Sequence, residues 1–225
     1  MKKGIFVTGT DTDIGKTFVS SLLVSSLKAN GRTAGYFKPV QTGTETYFAD
    51  SQTVASLSTL SPEEQTSSVY CYPQPMAPSR AASLNGEEIR LDRILQHWNA
   101  LAPRTWIVEG AGGLLVPLNS TQTMRDLIVA LDLNTVLVTS TRLGTINHTL
   151  LTLEAAAAQG INISGLVLVG LPDPGLEESL RDFTAAPILA QIPWLPEITS
   201  SAVKTSCSHY FPAATLNQIL GPVTK

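Results

Sequence analysis

Short apolar runs rich in β-branched side chains recur along the chain, at residues 4–8, 33–37, 105–108, 135–139, 165–169 and 188–192. Between many of them the apolar residues fall instead at helical spacing. Such segments cover residues 18–27, with Gly31 as a stop, then 90–101, 123–131, and 146–159, closed by Gly160. Near-continuous apolar strands are buried on both faces, and strands alternating with helices give a mostly parallel sheet flanked by helices. The expected fold is therefore α/β, a three-layer sandwich. Ligands of such a sheet collect beyond the carboxyl ends of its strands. Polar residues with chemical promise stand there: Lys38 after the second run, Glu109 with a glycine-rich turn after the third, and residues 139–147 at the end of the fourth.

Two regions break the pattern. Residues 44–86 are rich in Ser, Thr, Gln and Pro, and predict a loop-rich excursion with one short helix at about 51–60. Beyond Leu195 the pattern predicts only a short helix at 213–220. No repeat or composition break divides the 225 residues, so a single domain over 1–225 is expected, long enough to bury roughly 70% of its unfolded surface.

The first strand leads directly into Gly-Thr-Asp-Thr-Asp-Ile-Gly-Lys-Thr at residues 9–17, and a helix follows. In a loop of this kind, backbone N–H groups point at a nucleotide's phosphates, the lysine reaches the β/γ oxygens and the Thr hydroxyl ligates Mg2+. The spacing between Gly9 and Gly15 is one residue longer than the strict pattern. Strand, loop and helix nevertheless stand in the required order, so a nucleoside triphosphate is the expected ligand.

Charge narrows the remaining partners. A net charge of −3, with 15 Lys and Arg and no basic cluster, argues against nucleic acid or an anionic membrane and for small molecules. Met1, Lys2 and Lys3 resemble the start of a signal peptide, but the apolar run behind them ends after Val7 in the phosphate loop, so export is not expected. No stretch approaches the ~20 apolar residues that span a bilayer. Cys71 and Cys207 have no metal or redox spacing and are expected as reduced thiols. A cytoplasmic enzyme fits these features.

Candidate chemistry follows from position. Lys38, one of seven lysines, is either a stem covering apolar surface with its ammonium in water, or a cation held beside the phosphate loop. Asp50 and Glu109 supply the hard oxygens that Mg2+ needs beside the Thr17 hydroxyl, although Asp50 also suits a helix N-cap and Glu109 a turn. His148 reads as a packed or capping residue. The helix start from Gly144 to Asn147 offers exposed amides that would bind a carboxylate. Trp98 and Trp106 read as core, whereas Trp194 could line a nucleotide pocket.

Taken together, the loop at 9–17, Lys38-Pro39-Val40, the Val-Glu-Gly-Ala-Gly-Gly turn at 108–113, the segment 143–148 and Ile192-Pro193-Trp194-Leu195 resemble the dethiobiotin synthetase family, in that family's order and over the chain to about residue 196. The resemblance implies a homodimer of P-loop subunits that joins CO2 to 7,8-diaminononanoate and closes a cyclic urea, with ATP going to ADP and phosphate. Lys16, Thr12 and Lys38 would be catalytic. Thr17, Asp50 and Glu109 would surround Mg2+. The nucleotide would lie against Asp13, Ile14, Gly15, Lys16, Thr17 and Phe18, against Asp50, Glu109, Gly110, Ala111 and Gly112, and against Val169, Gly170, Pro193, Trp194 and Leu195. Thr42 would touch the diamine, and Gly144, Thr145 and Asn147 would hold its remote carboxylate across the dimer interface.

One departure stands out. Val169 and Gly170 replace the Asn-Asp pair common in the family, so an amide that reads the adenine edge is missing and other nucleoside triphosphates become acceptable. A nucleotide-switched ATPase of the MinD/ParA type is the rival reading, but the extra lysine of that loop is Asp11 here. A synthetase paralogue with a changed substrate is another. An amide ligase of the cobyrinate type would need a further glutaminase domain.

Overall fold

A computed structural model describes residues 3–45, 49–195 and 197–221; Met1 and Lys2, residues 46–48 of the excursion, Pro196 and residues 222–225 lie outside them. The strands are β1 (Gly4–Gly9), β2 (Ala34–Phe37), β3 (Val40–Thr42), β4 (Tyr70–Tyr72), β5 (Thr105–Glu109), β6 (Asn134–Ser140), β7 (Ile163–Val169) and β8 (Ile188–Ile192). The helices are α1 (Lys16–Ala29), α2 (Asp50–Ser58), α3 (Pro78–Leu84), α4 (Leu91–Ala100), α5 (Met124–Leu131), α6 (Thr145–Ala157), α7 (Pro174–Phe183), α8 (Ser200–Tyr210) and α9 (Ala213–Leu220).

Six strands form one sheet in the order β2-β5-β1-β6-β7-β8, and every pair in it is parallel. Side chains of a strand alternate between faces, and here both faces are apolar. Ile5, Val7, Ile107, Val136, Val138, Val167 and Val169 pack with α1, α2, α8 and α9. Phe6, Trp106 and Val108 pack with α3, α4 and α5, and Leu137, Leu166 and Leu168 with α7. The three-layer sandwich expected from the sequence is thus observed, with β1 and its loop in the middle of the sheet. Trp98 and Trp106 are core residues. No helix among the described residues is long and apolar enough to cross a membrane.

The sequence pattern underestimates two regions. The excursion at 44–86 holds α2, a 3-10 turn at Pro62–Glu64, α3, and β4, which pairs with β3 in a small parallel sheet. Strand β4 is three residues long, Tyr70 and Tyr72 inward and Cys71 outward. Helix α3 buries only Pro78, Ala81 and Ala82, so neither element carries a readable apolar period. After Leu195 the chain forms α8 as well as α9. Helix α8 buries only Val203 and Cys207, and its start is marked by Thr199, whose hydroxyl accepts from the Ala202 amide at 3.1 Å.

Phe211, between α8 and α9, is fully buried against the α1 side of the core. Its carbonyl accepts a hydrogen bond from the buried Ser26 hydroxyl of α1. Phe211→Ala should therefore lower unfolding stability by about 3–5 kcal/mol, read from the urea midpoint. A loss under about 1 kcal/mol would mean that the tail is dispensable to the core.

Candidate active site

The phosphate loop is shaped by two glycines. A Cβ on Gly9 would stand 2.5 Å from Ile14 Cδ1, so only glycine lets Ile14 fold back into the core. Gly15 ends the loop at φ 97, a conformation that glycine adopts without strain, and serves as the N-cap of α1. Lys16 and Thr17 then occupy the first turn of α1. Lys16 is buried, and its Nζ donates to the Asp11 carbonyl oxygen at 2.5 Å. Burial pulls its ammonium down to about 8, with the neighbouring Lys38 charge adding to that effect.

Strand alternation puts Glu109 on the same face as Ile107, toward α1. Its carboxylate is almost fully buried and receives hydrogen bonds at both oxygens. Oε1 accepts from Thr17 Oγ1 at 2.9 Å and Lys38 Nζ at 2.8 Å, and Oε2 accepts from Ser20 Oγ at 2.8 Å and Tyr36 OH at 2.9 Å. Lys38, just beyond β2, is 3% exposed, which excludes a stem with its ammonium in water. It pairs with Glu109 and, at 2.6 Å, with Asp50 Oδ2, and it also donates to the Gly110 carbonyl oxygen at 3.0 Å.

The electrostatics follow from this packing. Burial alone would lower the Lys38 ammonium, but the two carboxylates more than offset it and hold it above its ordinary value. Asp50 sits below the usual carboxylate range, because the Lys38 charge and hydrogen bonds from Lys38 and Thr17 outweigh its desolvation. Burial and the Glu109 charge raise the Tyr36 phenol well above its usual value, so it stays a donor.

Asp50 is the first residue of α2, and the N-cap is Ala49, so the N-cap role suggested by the sequence is not the one observed. The Asp50 amide instead donates to Gln41 Oε1 at 3.0 Å, which fixes the start of α2 over the site. Thr17 Oγ1 reaches Asp50 Oδ1 at 3.1 Å as well as Glu109. Thr17, Asp50 and Glu109 therefore converge as one hydroxyl and two carboxylates. That donor set fits Mg2+, which takes one or two carboxylates and completes its shell with phosphate oxygens and water. Among the described residues no group of three or more His, Cys, Asp or Glu could hold a metal unaided.

The other expected site residues divide into those near the loop and those held elsewhere. Thr12 is exposed on the loop, and its amide donates to Asp11 Oδ1 at 2.7 Å. Asp13 adopts φ 53. Phe18 and Val169 have their side chains in the core, and a Cβ on Gly15 would stand 3.0 Å from Val169 Cγ1. Val169 thus lies under the loop. Gly170, whose amide donates to the Ile192 carbonyl oxygen at 2.9 Å, ties the ends of β7 and β8 together. Pro193 and Leu195 are half-buried, and Trp194 is 41% exposed. Ala111 and Gly112 follow Gly110 in the turn after β5, and Thr42 ends β3.

At the start of α6, Gly144 and Asn147 are exposed, as is His148. Thr145 is buried: its hydroxyl donates to the Ser140 carbonyl oxygen at 2.5 Å and its amide to that of Arg142 at 3.1 Å. The amides of Ile146 and Asn147 belong to a first turn whose N–H groups lack intrahelical partners. Sequence reasoning missed Ser20, Tyr36 and Gln41. The first two were findable, since Ser20 lies one turn beyond Thr17 on α1 and Tyr36 two residues before Lys38 on the same strand face.

A family model described as an AAA domain (AAA_26) matches residues 3–202. The chain is 36% identical over 211 residues to "ATP-dependent dethiobiotin synthetase BioD" of Bacillus subtilis (strain 168), an alignment covering 89% of this chain and 91% of that protein. It is 43% identical over 201 residues to "Biotin biosynthesis bifunctional protein BioCD" of Bordetella avium (strain 197N), covering 89% of this chain but 42% of that longer relative. Among solved structures it superposes on a chain of the MinC:MinD cell division protein complex of Aquifex aeolicus with a TM-score of 0.57, over 99% of each chain. At 10% identity that likeness is one of fold alone.

Lys16 yields a prediction about stability without nucleotide. Its folded value, about 8, lies below the ordinary 10.5, so the unfolded chain binds that proton better. The cost is present in full below pH 8 and is relieved as pH rises from 8 to 10.5. Lys16→Met should therefore be more stable than the parent at neutral pH by on the order of 1–3 kcal/mol. That advantage should shrink as the pH climbs through the relief window, as read by urea unfolding at several pH values. A variant less stable at neutral pH would contradict this electrostatic account.

Proposed function

The chain belongs to the dethiobiotin synthetase family, and on that premise we propose that it is an ATP-dependent ligase of biotin biosynthesis that joins CO2 to 7,8-diaminononanoate and closes the cyclic urea. The observation that carries this reading is the buried Lys38, held by two carboxylates at the head of a phosphate loop that already contains Lys16. A reaction that brings anions together needs cations fixed in advance, in a site where little water competes.

The proposed sequence has three steps. One amine of the substrate adds to CO2, losing a proton, to give a carbamate. A carbamate oxygen then attacks the γ-phosphoryl group, ADP leaves, and a carbamic-phosphoric anhydride remains. The second amine attacks the anhydride carbon, the C–O bond to phosphate breaks, and the ring closes. Tethering of the two amines supplies an effective molarity that can reach about 10⁵ M, so ring closure needs no strong base.

Each step has a residue suited to it. Loop amides and Lys16 bind the nucleotide phosphates, and Lys38 offsets charge on the carbamate and the transferring phosphoryl group. Thr12, exposed on the loop, faces the carbamate region, and Thr42 the diamine. Mg2+, held by Thr17, Asp50 and Glu109, would neutralise phosphate charge. Glu109 keeps Lys38 oriented through its 2.8 Å ion pair. The single hydrogen of Thr17 serves Glu109 or Asp50 at any one time, and the lone pairs of its oxygen would remain for the ion.

A homodimer completes the proposal. Helix α6 and the loop before it leave Leu143 and Leu151 exposed on an apolar helix, a face that a second subunit would cover. The substrate's remote carboxylate then meets the first-turn amides of the partner's α6, where the helix dipole favours an anion. For the nucleotide base, the side chain of Val169 is buried and apolar, so this position offers no hydrogen bond to discriminate one base from another.

The direct test is mass-spectrometric detection of dethiobiotin from purified protein, 7,8-diaminononanoate, bicarbonate, Mg2+ and nucleotide. Product that depends on both CO2 and nucleotide supports the reading; nucleotide hydrolysis without product refutes it. In the same assay CTP and GTP should support turnover within about tenfold of ATP, a gap of ~1.4 kcal/mol, and a preference for ATP above about a hundredfold would overturn the relaxed choice. Lys38→Ala should lower kcat by about 10²–10³, whereas an unchanged kcat would reduce Lys38 to a structural counter-ion of Glu109.

A further inference from the structure

Threonine hydroxyls on the α6 face of the sheet form a chain whose direction can be derived. Thr139, near the end of β6, is fully buried. Its Oγ1 lies 2.7 Å from Thr145 Oγ1, 2.9 Å from Thr149 Oγ1 and 3.3 Å from Thr10 Oγ1. A hydroxyl has one hydrogen to give and two lone pairs to receive. Thr145 gives its hydrogen to the Ser140 carbonyl oxygen, which can only accept, so toward Thr139 it must be the acceptor. Thr139 therefore donates to Thr145, and its two lone pairs remain for Thr149 and Thr10. Every hydrogen-bonding capacity of Thr139 is used, and the chain runs from Thr10 through Thr139 and Thr145 to Ser140.

The two ends of this chain belong to different parts of the site. Thr10 lies in the phosphate loop, where its amide is also bound to the Val138 carbonyl oxygen at 3.1 Å. Thr145 is the first residue of α6, whose N-cap, Gly144, has no side chain with which to cap the helix. The hydroxyl chain thus anchors this helix start to the loop that binds phosphate, while its first-turn amides have no side-chain cap.

We propose that Thr139 is a positioning residue for the ligase reaction, anchoring the first turn of α6 to its own phosphate loop so that its amides stand where the carboxylate of the substrate bound at the neighbouring site meets them. This rests on the reading of the α6 amides as the carboxylate subsite. In the homodimer the same link ties each phosphate loop to the helix that serves the neighbouring site.

The test uses Thr139→Val, which keeps shape and removes the hydroxyl, and Thr139→Ser, which keeps the hydroxyl. Steady-state kinetics are run with 7,8-diaminononanoate and with its methyl ester, ATP affinity is measured by calorimetry, and thermal unfolding is followed in parallel. Thr139→Val should raise KM for the acid roughly tenfold while leaving KM for the ester and the ATP Kd within about twofold, and Thr139→Ser should restore the parent values. An unchanged KM for the acid, or an equal rise for acid and ester, would overturn the proposal and leave Thr139 a packing residue. Should the unmodified enzyme itself treat acid and ester alike, the carboxylate subsite falls, and the positioning role with it. If Thr139→Val does not fold, Thr139→Ala removes the same hydroxyl without adding a methyl group and should show the same rise confined to the acid.

Discussion

Everything in the site depends on one buried carboxylate. Glu109 is 1% exposed at the carboxyl end of β5, between β2 and β1, where an unpaired charge would be prohibitive. Four donors meet it: Thr17 and Ser20 from α1, Tyr36 from β2 and Lys38 just beyond β2. Satisfying Glu109 therefore fixes α1 against β2 and β5, and the second arm of Lys38 fixes α2 through Asp50. Removing one partner of such a buried pair typically costs about 3–5 kcal/mol, because the other charge is left uncompensated. The arrangement that makes the fold specific is also the one that delivers two carboxylates, a hydroxyl and a cation to the phosphate loop.

The sheet divides the labour of the site between its faces. Alternation along β5 sends Glu109 toward α1, and alternation along β6 sends Thr139 the other way, toward α6. On the proposed reading, phosphate and metal chemistry belongs to the α1 face, and the α6 face serves the remote end of the substrate bound at the neighbouring site. The loop at the end of β1 touches both, through Lys16 and Thr17 on one side and Thr10 on the other. Because β1 is central, with β5 and β6 as its neighbours, the two halves meet at a single loop rather than across a flexible hinge.

Much of this was legible in the sequence, for identifiable reasons. The strand, loop and helix at 4–29 carry a local signal, since Gly9 and Gly15 have backbone roles that a larger residue would not fill and Lys16 places its ammonium at the loop. Lys38, Asp50 and Glu109 were legible as strand-end or helix-start residues near the right edge of the sheet, although their mutual contact was not. Sequence spacing says nothing about which charge faces which across 71 positions, and only packing brings Lys38 to Glu109. Helix α8 and the β3–β4 pair escaped notice because they bury few side chains, small or isolated ones in α8, so their stability comes from docking rather than from an apolar period. Ser20, a plain serine within a serine-rich helix, became meaningful only when the strand carrying Glu109 was laid against it.

On the proposed reading, Lys38 beside Glu109 and Lys16 in the loop serve a carbamate that attacks a phosphoryl group. Single-turnover reaction with 18O-labelled bicarbonate, quenched before label exchanges with water, tests it most directly, by following the isotope into phosphate. Attack by a carbamate oxygen leaves that oxygen on phosphorus when the ring closes, so one labelled oxygen should appear in the phosphate released for each dethiobiotin formed. Dethiobiotin accompanied by unlabelled phosphate would contradict the account, because the phosphoryl group would then have passed to water or to another acceptor.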